Sequence, residues 1–291
     1  MFRQLASVAA IAITALALGG CGDDKPAGGT GTSGTGKPAT TTKPTAAATT
    51  SAAATSKPAA TPAKEGNATI KGAVAFSGKA PEMKVPAKRK DADVCKSKEV
   101  KYNAVLVKDA KLQDVLVRIA AGGVPGEWKA PEKHAEIDQK DCMYAPRMQG
   151  VVAGQTIDIK NGDETLHNVH AYKGADSLFN QAQPKGAAAI TKDAPEEAAV
   201  MKLSCDVHPW MRGFVVVTDH PFFAVSGEDG TFKIEKVPAG KYTIEAWHTQ
   251  YGLLKKEGVE VKESGEVTVD FEYKGTEAEP DWNKGELTGL W

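Results

Sequence analysis

From Thr69 onward the chain is written in short apolar runs of period two, each closed by glycine, proline or acidic turn residues. This alternation limits the folds open to it more than any other feature. In Ile70-Lys-Gly-Ala-Val-Ala-Phe76 alternate side chains fall on opposite faces of an extended strand. The runs 103–107 and 112–119 read as a hairpin across Lys108-Asp-Ala-Lys111, and further strands are expected at 135–138, 150–159 and 166–172. Phe232 with Ile234, and Tyr242, Ile244 and Ala246, alternate in the same way around Glu228-Asp-Gly230 and Pro238-Ala-Gly240. Val259–Val261 and Val267–Tyr273 complete a last hairpin. Residues 174–197 lack the alternation and read as a long loop. The expected class is therefore all-β.

The residues before Thr69 do not belong to that pattern. Leu5 to Leu18 is an uninterrupted small-apolar stretch behind one positive charge, too short to cross a bilayer at about 20 residues per span. It reads as an export signal over 1–20. Residues 21–66 are nearly all Ala, Thr, Pro, Lys and Gly with no apolar periodicity, which predicts a disordered tether. A formal net charge of -1 gives no overall field to recruit nucleic acid or an acidic membrane surface.

The chemistry concentrates in Leu203-Ser-Cys-Asp-Val-His-Pro-Trp-Met-Arg-Gly-Phe-Val215, a loop between two apolar runs. Cys205, His208 and Met211 recur at every third position, so one tight turn can aim a thiol, an imidazole and a thioether at one ion. His167, at the mouth of an upstream strand, offers a fourth donor. A thiolate, two imidazoles and a weak axial thioether make a trigonal site suited to copper in both its oxidation states. His170 falls on the opposite face of that strand from His167 and reads as a packing or hydrogen-bonding residue. No histidine cluster for a catalytic copper, no Ser-His-Asp order and no phosphate loop stands out, so no enzymatic activity is expected.

The loop resembles that of the plastocyanin/amicyanin-like cupredoxins with the short Cys-x2-His-x2-Met spacing, and Leu166-His-Asn-Val-His170 resembles their first-ligand strand. The resemblance implies a Greek-key β-sandwich over 131–219 holding one copper ion that cycles between Cu(I) and Cu(II). It implies His167, Cys205 and His208 as equatorial ligands and Met211 as the axial one. Asn168 would hold the two ligand loops together, and Pro209 would stiffen the loop. It also places His208, Pro209 and Trp210 at a small surface patch where a redox partner protein docks on the exposed ring of Trp210. The pattern Asp229-Gly-x-Phe-x-Ile-x-x-Val-Pro-x-Gly-x-Tyr242 resembles the carboxypeptidase regulatory-like domain, a transthyretin-type β-sandwich. Its two halves are expected at 67–130 and 220–273, with the copper domain inserted between them or in tandem, and a tail at 274–291.

Leu18-Gly-Gly-Cys21 resembles a bacterial lipoprotein processing site, which implies lipidation of Cys21 and contact with a membrane through that anchor alone; the alternative is ordinary cleavage at Ala15-Leu-Ala17, which leaves a soluble periplasmic protein. With Cys21 given to lipid and Cys205 to metal, Cys95 and Cys142 remain to pair in an oxidising compartment. On the chain-entropy picture such a bridge stabilises the fold by roughly 3 to 4 kcal/mol. The function expected is single-electron transfer on the periplasmic side of a bacterial membrane. Two alternatives are a copper carrier or scavenger, and an adhesion or scaffold sandwich with a structural copper.

Overall fold

A computed structural model describes residues 63–86, 93–95, 104–278 and 280. The signal, the tether before 63 with Cys21, and the end of the tail lie outside the described residues. In chain order the strands are β1 (Asn67–Phe76), β2 (Val107–Lys108), β3 (Lys111–Leu112), β4 (Leu116–Ile119), β5 (Ala135–Lys140), β6 (Met143–Ala145) and β7 (Met148–Val152). They continue as β8 (Thr156–Asn161), β9 (His167–Lys173), β10 (Asp176–Gln183), β11 (Ile190–Asp193), β12 (Ala199–Ser204) and β13 (Arg212–Thr218). The last are β14 (Phe223–Val225), β15 (Thr231–Val237), β16 (Gly240–His248), β17 (Gly252–Val261), β18 (Ser264–Thr268) and β19 (Phe271–Tyr273). The described chain contains no α-helix, and its class is all-β.

The strands form four sheets. Among the described residues, β5 to β13 pair only with one another, in the orders β10-β9-β12-β13-β7 and β11-β8-β5-β6. The flanking strands pair across that insertion: β1 lies beside β15, β18 and β19, while β4 lies between β14 and β16. The alternation seen in the sequence sets the layers. Val117 and Ile119 of β4 join Ile70, Val74, Phe232 and Ile244 in the core between the two outer sheets. Leu116, one residue off that register, faces the other way and packs with Trp247 on Met148, Val200, Phe214 and Val216 of the inserted sandwich. Strand β4 is thus buried on both faces. That exposes Arg118 to an apolar environment, and it is met there by Glu245, whose Oε2 accepts from Nε and from the terminal nitrogen at 3.0 and 2.9 Å. A third core, with Ile137, Val151, Val169, Leu203 and Val215, fills the inserted sandwich.

Arg147, between β6 and β7, fastens the two sandwiches. Its guanidinium donates to Asp114 at 3.2 Å and to Thr249 at 3.1 Å and lies over the ring of Phe214.

Three expectations are corrected. The last hairpin does not form, because β17 pairs with β16 while β18 and β19 lie parallel to β1. Residues 174–197 are not one long loop, because they contain β10 and β11. Strand β10 is an edge strand, exposed along most of its length, so backbone pairing to β9 holds it and no apolar alternation marks it. The run 112–119 is not one strand either. Asp114 takes a left-handed φ of 60°, which turns the chain so that β3 stays with β1 while β4 crosses to the opposite sheet.

Candidate metal centre

Strands β12 and β13 pair with Ser204 opposite Arg212, so residues 205–211 form the whole connection between them. Beside them β9 runs antiparallel to β12, with Ser204 opposite His170, which brings the start of β9 to the root of the loop. The loop is held by its own backbone: Met211 N–H donates to the His208 carbonyl at 2.9 Å, and His208 N–H to the Cys205 sulfur at 3.4 Å. Asn168 ties it to β9. Its Oδ1 accepts from the N–H of Asp206 at 2.6 Å and of Val207 at 3.4 Å, while its Nδ2 donates to Asp206 and Asn180. From beneath, the Tyr144 hydroxyl lies 3.1 and 3.0 Å from the carbonyls of Asn168 and Ser204 and joins the two strands at the level of the donors.

Three donor atoms converge. Nδ1 of His167 lies 2.9 Å from Nδ1 of His208, and the Cys205 sulfur lies 3.9 and 3.8 Å from those two nitrogens. Both imidazoles are fully buried, Cys205 is 2% exposed, and Met211, on the same loop, is fully buried as well. Such spacings lie within reach of one ion with metal–nitrogen and metal–sulfur bonds of about 2.0 and 2.3 Å. The donor set of one thiolate and two imidazoles fits copper. Cys142, which also lies near His167 and Asp163, is bonded to Cys95 and so offers no thiolate.

A shell of polar groups orients the donors. The other nitrogen of His167, Nε2, lies 2.9 Å from Asp163 Oδ2, so a proton held there leaves Nδ1 free to donate its lone pair. Asp163 is itself fixed by the N–H groups of Asp141 and Cys142, each at 2.8 Å. Sequence reasoning missed Asp163; its signal was a carboxylate one helical turn's distance before a ligand histidine, which an acidic turn residue hides.

Electrostatics follow from these contacts. Burial, the largest single effect on Cys205, raises its pKa, but hydrogen bonds from His167, His208 and the backbone of Asn168 and His208 outweigh it and bring the thiol down to about 6. For His167 burial acts to lower the pKa and is outweighed by Asp163 and Cys205, which raise it to about 9. Burial likewise pushes the Asp163 carboxyl up, while His167 and the two backbone donors hold it below the ordinary value. In the metal-free pocket these contacts favour the thiolate form of Cys205 and the protonated form of His167.

The expectation for Trp210 is corrected. It is 2% exposed, its indole N–H donates to the Cys142 carbonyl at 3.1 Å, and its ring packs 5.1 Å from that of His208. An internal acceptor for the indole draws the ring inward, so no exposed ring is offered, and His208 does not reach solvent either. What the surface shows near the donors is Pro209, exposed after His208, and Leu166, 43% exposed before His167. His170 lies outside the donor set. Its Nδ1 contacts Tyr172 at 2.7 Å and Asp206 at 3.2 Å, and its Nε2 contacts Ser177 at 3.0 Å.

No protein-family model and no curated protein matches the chain. Among solved structures it is similar to a purple cupredoxin from Nitrosopumilus maritimus, at 25% identity over 29% of this chain and 99% of that one, with a TM-score of 0.25. A reduced amicyanin variant is 25% identical over 35% of this chain and 97% of that one, with a TM-score of 0.27. A copper-containing nitrite reductase from Thermus scotoductus is 14% identical over 34% of this chain and 25% of that one, with a TM-score of 0.25.

Proposed function

We propose that the chain is an exported copper protein that binds one ion at His167, Cys205, His208 and Met211 and passes single electrons to and from a partner protein, without catalysing a reaction of its own. The observation that carries this reading is the convergence of two imidazole nitrogens and one cysteine sulfur inside a buried, internally hydrogen-bonded loop. Copper bound there supplies a one-electron couple, Cu(I)/Cu(II). The chain's own part is to hold the donors still and dry. Asn168 and Tyr144 lock the loop to β9, and Asp163 fixes the tautomer of His167. A partner would approach over Leu166 and Pro209, the exposed apolar residues next in sequence to the two ligand histidines. Redox encounters of this kind use small interfaces, under about 1,200 Å².

A carrier that hands copper on gains from exposed, exchangeable donors, and the burial of all four here weighs against that alternative. Export and a lipid anchor at Cys21 rest on the apolar leader and its Gly-Gly-Cys ending, and the Cys95–Cys142 disulfide agrees with an oxidising compartment. The test is the visible absorption spectrum of the copper-loaded protein before and after reduction. An intense thiolate-to-copper band that bleaches on reduction is expected, and a colourless Cu(II) form would refute the reading.

A further inference from the structure

The hairpin from β5 to β6 pairs Lys140 with Met143, so Asp141 and Cys142 are its two turn residues. Both are left-handed, at φ 54° and 56°, as a two-residue turn of this hand requires. Neither is glycine, and a residue with a side chain keeps such a conformation only where its surroundings fix it. In this turn two successive N–H groups point the same way, and both donate to the carboxylate of Asp163 at 2.8 Å. The carbonyl of Cys142 accepts the indole N–H of Trp210, and its sulfur is bonded to Cys95. Asp163 then reaches Nε2 of His167, and the Trp210 ring rests against His208.

Both histidines of the metal centre thus trace back to one residue through two separate arms. We infer that Cys142, clamped in its left-handed conformation by the bond to Cys95, is the positioning residue that sets the orientation of both imidazoles. Its backbone N–H fixes the Asp163 arm, its carbonyl fixes the Trp210 arm, and the disulfide keeps the turn from relaxing. The inference rests on the copper reading above for its functional meaning, but its geometry concerns the metal-free chain as well.

The experiment compares the full chain with Cys95→Ala/Cys142→Ala and with Cys95→Ala/Cys142→Gly. The alanine pair removes the clamp and leaves a residue that resists positive φ. Its Cu(I) affinity, by chelator competition, should fall about 10- to 100-fold, the usual effect of losing a group that orients a ligand. Its charge-transfer band should shift, and in the metal-free protein the ring N–H signals of His167 and Trp210 should exchange faster with solvent. Glycine adopts the left-handed conformation without steric strain. The glycine pair should therefore recover affinity and band position while its melting temperature stays lowered. An alanine pair that melts earlier but binds copper as tightly as the wild type, with an unshifted band and unchanged exchange, would overturn the proposal. If the alanine pair does not fold, Trp210→Phe in the disulfide-bonded chain removes one arm alone, and an unchanged band and affinity there would overturn it equally. Should the wild type form no copper thiolate band at all, the functional reading fails. The exchange of the two ring N–H groups in the metal-free protein still decides the positioning role.

Discussion

Replacing Asp163 by Asn separates two things the carboxylate does for the metal centre. It holds a proton on His167, whose pKa it helps to raise to about 9, and it aims that ring at Cys205 and His208. A metal must displace the proton from any imidazole it binds. Between pH 7 and 9 the wild-type His167 is still mostly protonated, while Cys205, titrating at about 6, is already thiolate. One proton is therefore released, and affinity should rise about tenfold per pH unit until it levels near pH 9. At pH 7 proton competition thus weakens binding about a hundredfold, or about 2.7 kcal/mol. In Asp163→Asn the amide oxygen can still accept the Nε2 proton, but the charge is gone, so the His167 pKa falls toward the ordinary 6.5 and the plateau begins at lower pH. By about pH 10 to 11 neither protein carries the Nδ1 proton that the metal displaces, while Nε2 keeps its own. The remaining deficit of the variant, expected at about 10- to 100-fold, then measures orientation alone. The assay is Cu(I) competition with a chromophoric chelator at half-unit pH steps under anaerobic conditions. A wild-type affinity that is flat from pH 7 to 9, or an identical slope in both proteins, would refute the imidazolium–carboxylate pair.

Cys205→Ser should abolish the thiolate-to-copper band and most of the affinity, because among the described residues no other free thiol stands at the site; a blue variant would show the ligand set to be wrong. Trp210→Ala should lower unfolding free energy by about 3 to 5 kcal/mol in denaturant melts, as a buried ring in the core does, and a change under 1 kcal/mol would contradict its packing. His248 lies fully buried in the outer sandwich, where burial first and the Arg147 charge second hold its pKa down to about 3. The unfolded chain takes up that proton from 6.5 downward and the folded one does not, so stability should fall as pH drops from 6.5 to about 3, by up to about 1.4 kcal/mol per unit. His248→Gln should remove that part of the acid slope, and parallel slopes in the two proteins would count against it.

The all-β class is legible because alternation marks each strand with one face in a core, as at Ile70, Val74 and Phe76. It fails where side chains do not decide the structure. Strand β10 is held by backbone pairing with most of its side chains exposed, and the break at Asp114 depends on one left-handed residue. At the site, the donors of the 205–211 loop are legible from spacing, since a single turn must gather them. The direction of Trp210 is not, because a loop has no period to say which way a ring points. Asp163 and Tyr144 reach the donors only through the meeting of β6, β9 and β12, a contact no local pattern encodes.

Strand β4 also bears on the order in which the chain can assemble. Its partner β14 returns only after the inserted sandwich: Val115 N–H finds the Ser226 hydroxyl 111 residues away. Closing an open loop of that length costs roughly 4 kcal/mol of chain entropy, and each halving of it lowers the cost by only about 0.6 kcal/mol. A collapsed insert does more than shorten the loop, because parallel pairing of β7 with β13 brings its own exit back to Val152, beside the strand that must meet β4. The insert then serves as the template on which the outer sandwich closes. Destabilising Val215 or Val151, both far from β4 in sequence, should slow the late docking of β14 onto β4, whereas weakening the β16–β17 hairpin should chiefly speed unfolding.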